Sequence, residues 1–203
     1  SIRVLSTETE KAYDALVSGA AMGMLYHSIK YRNFLREILA EARDSYLLAF
    51  EEGQLTAAIP AFIKDGPFGT VVNSLPFYGS HGSVVYASEA SPEAKIALLN
   101  AFDKLCLKEG AITSTIISNP LDTDLSFLES YSTDLNDERI GQITPLPNDK
   151  ADNVANLLME SFHQKTRNMV RKGAKAGFSV SHNDSEVALR ALHSIHDENI
   201  RGV

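Results

Sequence analysis

Three things are scarce in this sequence: cysteine, long apolar runs and an overall excess of basic residues. Cys106 is the single thiol in 203 residues. One thiol closes no internal disulfide, so a stapled secreted scaffold is excluded and a reducing, cytoplasmic setting is expected. Its surroundings, FDKLCLKEG, repeat apolar residues at helical spacing, which suits a buried structural cysteine better than a nucleophile. No apolar run approaches the roughly 20 residues that span a bilayer. The start of the chain has no basic stretch followed by an apolar one, so no secretory signal is expected. With 19 Lys and Arg against 26 Asp and Glu, the net charge is −7. That balance argues against general nucleic-acid binding, which shows as a basic excess.

Familiar catalytic signatures are missing too. The chain has no G-x-x-x-x-G-K-[ST], no G-x-G-x-x-G and no H-E-x-x-H. It has no G-x-S-x-G elbow. His193 and His196 lie three apart on one helix face, a spacing able to hold a metal, yet no third ligand of matching type is evident. Two surface histidines are therefore expected there, and no metal. Ser80-His81 invites a nucleophile–base reading, but adjacent residues rarely face each other and no orienting carboxylate is assignable.

What remains is an ordinary globular composition, 44% apolar and 22% charged, enough for a sizeable core. Helical periodicity predicts helices from Thr7 to Val17, with a Thr7/Glu10 capping box, and over 31–42. The pattern then turns to strands at 45–50, 54–64 and 70–75, with Pro60 marking an edge or bulge. Ser91-Pro92 opens a helix that Gly110 ends. A strand over 111–118, a short helix over 123–131 and a strand over 138–146 come next. Helices over 150–162 and 186–199 flank the basic segment and a short strand at 178–181. This order predicts an α+β fold with a mixed, mostly antiparallel sheet flanked by helices.

The most distinctive stretch is 161–183. It holds Lys165, Arg167, Arg171, Lys172 and Lys175 and no acidic residue. Arg167, Arg171 and Lys175 repeat every four residues and share one helix face, where like charges repel. Two readings stand: a solvated helix face, or a subsite for a phosphorylated or nucleotide-linked ligand. The second region of interest is the loop SLPFYGSHGS. Gly79 and Gly82 would let backbone amides approach a ligand; the competing reading is a hairpin corner packed by Phe77 and Tyr78.

These two segments carry a resemblance. DSYLLAFEEGQLTAAIPAFIKDGPFGTVVNSLPFYGSHGSVV (44–85) resembles the first-domain strand block of Fem-type transferases. K-x-R-N-M-V-R-K-G-x-K-A-G-F-x-V (165–180) is similar to that family's basic segment. YHSIKYRNFLREIL (26–39) is similar to its "hs-x-x-W-x-x-f" helix, with Tyr31 where Trp is usual. The family is the FemAB/FemX-like branch of the GNAT acyltransferase superfamily, and the likeness spans most of 26–182.

The resemblance implies a GNAT-like domain over 1–162, with 163–203 holding the basic segment and the beginning of a second GNAT-like domain. A longer protein is expected on that basis. It also implies acyl or aminoacyl transfer to an amine on a nucleotide- or lipid-linked cell-envelope saccharide or peptide. The co-substrate would be acyl-CoA or aminoacyl-tRNA, with no tightly held cofactor. The five cations above would form the acceptor's anion subsite, and Ser74, Pro76, Phe77, Tyr78, Gly79, Ser80, His81 and Gly82 would line the acceptor cleft. Transient contact with a membrane surface also fits a lipid-linked acceptor. Two features depart from the pattern. Gly173 stands where Ala is usual, which weakens the helix by roughly 1 kcal/mol. The superfamily's pyrophosphate turn, R/Q-x-x-G-x-G/A, is missing, since Ala174 stands three residues after Arg171. The donor site and any catalytic base are therefore expected elsewhere. A non-catalytic GNAT-like module that binds an anionic glycan or partner, and contact with a tRNA acceptor stem through the basic helix, remain as alternative readings.

Overall fold

A computed structural model describes residues 1–74, 77, 81–122, 124–138, 145–148 and 153–202. The chain forms two compact units, Ser1–Gly141 and Gln142–Val203.

The first unit is built around a long hairpin. Its arms are β2 (Arg43–Asp44) with β3 (Leu47–Glu51), and β4 (Gln54–Ile59) with β5 (Phe62–Gly66). Glu52 and Gly53 both have positive φ, 47° and 86°, the left-handed pair that a tight hairpin turn needs. Pro60 has no N–H to give the ladder and divides the second arm into β4 and β5. Across that break Ser45 N–H donates to Ala61 O at 2.9 Å, so the two sheets meet in one continuous hairpin. β1 (Ile2–Val4) lies antiparallel to β3.

β6 (Gly69–Asn73) pairs with β5, Phe62 opposite Asn73. β7 (Val85–Tyr86) pairs with β4, Ala58 opposite Val85. Both lie on the same side of the second arm. Helix α3 (Pro92–Lys108) then returns the chain to β8 (Ala111–Thr115), which joins β6 in parallel. Gly69 begins β6 with φ 133°, and a Cβ there would sit 2.7 Å from Ile112 Cγ2. Glycine is thus required where β6 passes β8.

Alternate strand residues face opposite cores, as the two-residue period demands. Leu47, Ala49, Ala57 and Ile59 pack with Leu98 and Phe102 of α3. Leu48, Ala58 and Phe62 pack with Tyr13 of α1 (Glu10–Gly19) and Leu35 of α2 (Ile29–Ile38). Helices thus cover both faces of a mixed, largely antiparallel sheet, the α+β class expected from sequence. α4 (Ser126–Glu129) closes on α3 through Lys95, a buried ammonium 2.8 Å from Asp124 and 4.1 Å from the Tyr86 ring centroid.

The second unit holds α5 (Val154–Ser161), α6 (Gln164–Lys175) and α7 (Glu186–Arg201). None of these helices contains a buried residue.

Several expected boundaries move. α1 starts at Glu10 behind Thr9, not Thr7, and has no side-chain cap. The Thr9 hydroxyl instead bonds backward, donating to Ser6 O at 3.0 Å. α2 opens two residues early because Ser28 accepts from Tyr31 N–H, and it stops at Ile38 rather than 42. Residues 178–181 are not a strand: Phe178 is 83% and Val180 93% exposed, without the ladder partner that an alternating pattern needs. Of the strand expected at 138–146, residues 139–144 lie outside the described ones; 138, 145 and 146 are not in a strand.

Candidate functional site

Ser74, just after β6, and Ser83, just before β7, are bonded to each other. Ser83 N–H donates to Ser74 O at 3.0 Å. The same N–H lies 3.2 Å from Ser74 Oγ. Ser83 itself is buried, has φ 68° and leaves its hydroxyl without a partner. A left-handed serine in such a place is held by its surroundings rather than by its own preference.

Two sides of the first unit hold the described residues Ser74, Phe77, His81 and Gly82. The end of β8 and the residues after it supply carbonyls. Ser74 N–H donates to Thr115 O at 2.8 Å and Gly82 N–H to Ile117 O at 3.0 Å. His81 Nδ1 lies 3.1 Å from Ser118 O. The segment from α1 into α2 supplies side chains. Tyr31 Oη donates to Phe77 O at 3.0 Å. His27 Nε2 meets Gly82 O at 3.1 Å, while His27 Nδ1 accepts from Met24 N–H at 3.3 Å. Tyr13 Oη donates to His27 O at 2.6 Å. The YHSIKY stretch thus has a physical purpose: Ser28 caps α2, and His27 and Tyr31, four apart, both reach the loop. Of the eight loop residues expected in a cleft, Ser74, Phe77, His81 and Gly82 are brought together here. Pro76, Tyr78, Gly79 and Ser80 lie outside the described residues.

His27 is fully buried, and burial pushes its imidazole below the usual 6.5. The bond to Gly82 opposes this in part, and the nearby His81 adds to it. The folded state therefore holds His27 neutral, whereas the unfolded chain takes up a proton below about 6.5. Its stabilising contribution is complete above that pH and shrinks as the pH falls through it. The melting temperature is expected to drop more steeply below pH 6.5 in the wild type than in His27→Gln. Parallel curves would show that His27 does not titrate on unfolding.

The second unit carries the cations. Along α6 they occupy one continuous arc of the helix, opposite Met169, Val170, Gly173 and Ala174. Arg167 turns back and donates to Phe162 O at 2.5 Å and to Gln164 Oε1 at 2.8 Å. It thereby satisfies the carbonyl end of α5, a role that charge pattern alone does not reveal. Lys165, Arg171, Lys172 and Lys175 have no hydrogen-bond or ion-pair partner among the described residues. Arg171 and Arg167 line an open depression of about 500 Å³ with Asn153, Asn156, Met159 and Glu160. His193 and His196 lie on α7, and no group of three metal-ligating side chains comes together among the described residues.

No protein-family model matches the sequence, and no curated protein does. Solved structures do match. An aminoglycoside acetyltransferase from an uncultured soil metagenomic sample, in complex with trehalose, aligns with a TM-score of 0.50 at 12% identity, over 72% of this chain and 95% of that one. A ribosomal-protein-alanine N-acetyltransferase from Brucella melitensis biovar Abortus 2308 aligns at 0.47 and 12%, over 70% and 99%. An aminoglycoside N-acetyltransferase in complex with CoA aligns at 0.46 and 14%, over 71% and 99%. The first of these likenesses is one of fold: helices on both faces of a mixed sheet, the GNAT arrangement.

Proposed function

We propose that this chain serves acyl or aminoacyl transfer to an amine on a nucleotide- or lipid-linked cell-envelope saccharide or peptide, in the cytoplasm. The acceptor's phosphates would bind the cationic arc of α6. The observation that carries this reading is the set of four cations on one helix of an acidic chain, none with a partner among the described residues. Arginine pairs with phosphate oxygens bidentately, and lysine adds point charge. The acetyltransferase-like fold supports acyl transfer as the reaction class, and the 26–182 resemblance to Fem-type enzymes supports the kind of acceptor. The chemistry is attack of a neutral amine on the acyl carbonyl, aided by proximity and by donors to the developing oxyanion. The donor would be an acyl-CoA or an aminoacyl-tRNA. Because the R/Q-x-x-G-x-G/A turn is missing, a second reading is a GNAT-like module that binds the anionic acceptor without chemistry. Mass spectrometry of mixtures holding UDP-glucosamine or a lipid-linked amino sugar with each donor separates them. The transferase reading expects an amide product. Acceptor binding without an amide from either donor leaves the binding module.

A further inference from the structure

The depression in the second unit has walls of different charge. Asn153, Asn156 and Glu160 line it from the α5 side, spaced three and four apart along one stripe of the chain. Glu160 is the one charged residue of α5. From α6 come Arg167 and Arg171, one turn apart. Arg167 is already committed: it donates to Phe162 O and Gln164 Oε1, and its Nη1 lies 3.4 Å from Glu160 O. Arg171 is therefore the guanidinium left to meet a guest.

Glu160 and Arg171 carry opposite charges and line the same depression, yet among the described residues they form no ion pair with each other. The side chains of Asn153 and Asn156 likewise have no hydrogen-bond partner among the described residues. A volume of about 500 Å³ holds more than a single phosphate and suits a guest the size of a substituted hexose. Arginine takes phosphate oxygens bidentately. A carboxylate only accepts, so it selects an N–H or O–H donor and repels a second anion. A side-chain amide both donates and accepts, which matches a sugar hydroxyl.

We propose that this depression recognises a phosphorylated amino sugar. Arg171 holds the phosphate, Glu160 holds the ammonium, and Asn153 and Asn156 serve the ring hydroxyls. The inference rests on the acceptor-phosphate reading of α6 and narrows the acceptor to sugars with a free amine. The role is recognition, and no bond is made or broken by these side chains.

Calorimetric titration of the full chain with glucosamine 6-phosphate and with glucose 6-phosphate, its amine-free counterpart, tests this. The amino sugar phosphate is expected to bind about tenfold more tightly, the effect of one charge-assisted hydrogen bond. Glu160→Gln keeps the size of the side chain and removes its charge. That variant should bind glucose 6-phosphate no worse than the wild type and lose the preference for the amine. Arg171→Gln should weaken both phosphates alike. Both variants should keep the wild-type melting temperature, since neither helix contains a buried residue. Equal binding of the two phosphates by the wild type, or a preference that survives in Glu160→Gln, would overturn the Glu160 assignment and leave the phosphate reading of α6 standing. No binding of either phosphate would overturn both. A preference for the amine without an amide product in the transfer assay would keep this site and remove the transferase reading.

Discussion

Replacing Arg32 with alanine is expected to destabilise the first unit by about 3 kcal/mol, a fall in melting temperature on the order of 10 °C. Arg32 is buried between three elements. Its Nε donates to Asp44 Oδ2 at 2.6 Å and its Nη1 to Glu10 Oε1 at 2.7 Å. The guanidinium also lies 5.7 Å from the Tyr46 ring centroid. Removing it unties α1 from α2 and β2 and leaves the Asp44 carboxylate, 6% exposed, with one partner instead of two. A buried carboxylate that loses a cation retains its desolvation cost, and that cost sets the size of the effect. Arg36 still donates to Asp44 Oδ1 at 2.6 Å, which holds the loss near the lower end of the usual range. The informative comparison is Arg36→Ala. That side chain is 51% exposed, so its removal is expected to cost less than about 1 kcal/mol. Chemical denaturation of both variants reads the difference, and equal losses would refute the partition.

The second large effect concerns binding. Arg171→Glu is expected to weaken UDP binding roughly 100-fold, because it removes a charge-assisted bond and places a carboxylate in its stead. The new carboxylate would share its depression with Glu160, so repulsion adds to the lost attraction. Folding stability should change by less than about 0.5 kcal/mol, since α6 contains no buried residue and surface substitutions rarely do more. Fluorescence competition and thermal denaturation give the two numbers. An unchanged Kd would remove Arg171 from any anion subsite, whereas a large fall in stability would recast it as structural.

Local chemistry carried much of the fold into view. The α3 boundaries follow from Ser91, Pro92 and Gly110, which act within a few residues of themselves. The hairpin follows from Glu52-Gly53 and the break from Pro60. Long-range pairing was out of reach. β7 is two residues long and exists because β4, some thirty residues earlier, offers Ala57 and Ala58 as partners. Conversely, 178–181 alternates like a strand yet has no ladder, because alternation states a preference that only a partner fulfils.

The candidate site divides along the same line. The cationic arc of α6 was readable from spacing alone, but Arg167 as a cap on α5 was not. Whether a cation meets a ligand or a carbonyl depends on where the preceding helix stops. The loop at 74–83 was visible as glycines and serines. Its anchors, His27 and Tyr31, lie nearly fifty residues upstream, and nothing in their own neighbourhood announces the contact. His81 spends Nδ1 on Ser118 O at 3.1 Å, a long-range contact that its place beside Ser80 in the sequence does not announce.

Recognition of a phosphorylated acceptor by α6 is tested most directly by calorimetric titration of the full chain with UDP and, separately, with uridine. Saturable binding of UDP that weakens as salt is raised, with no measurable binding of uridine, is the expected result. Equal affinity for the two, or no heat with UDP at any salt concentration, would contradict an anion subsite on the cationic face.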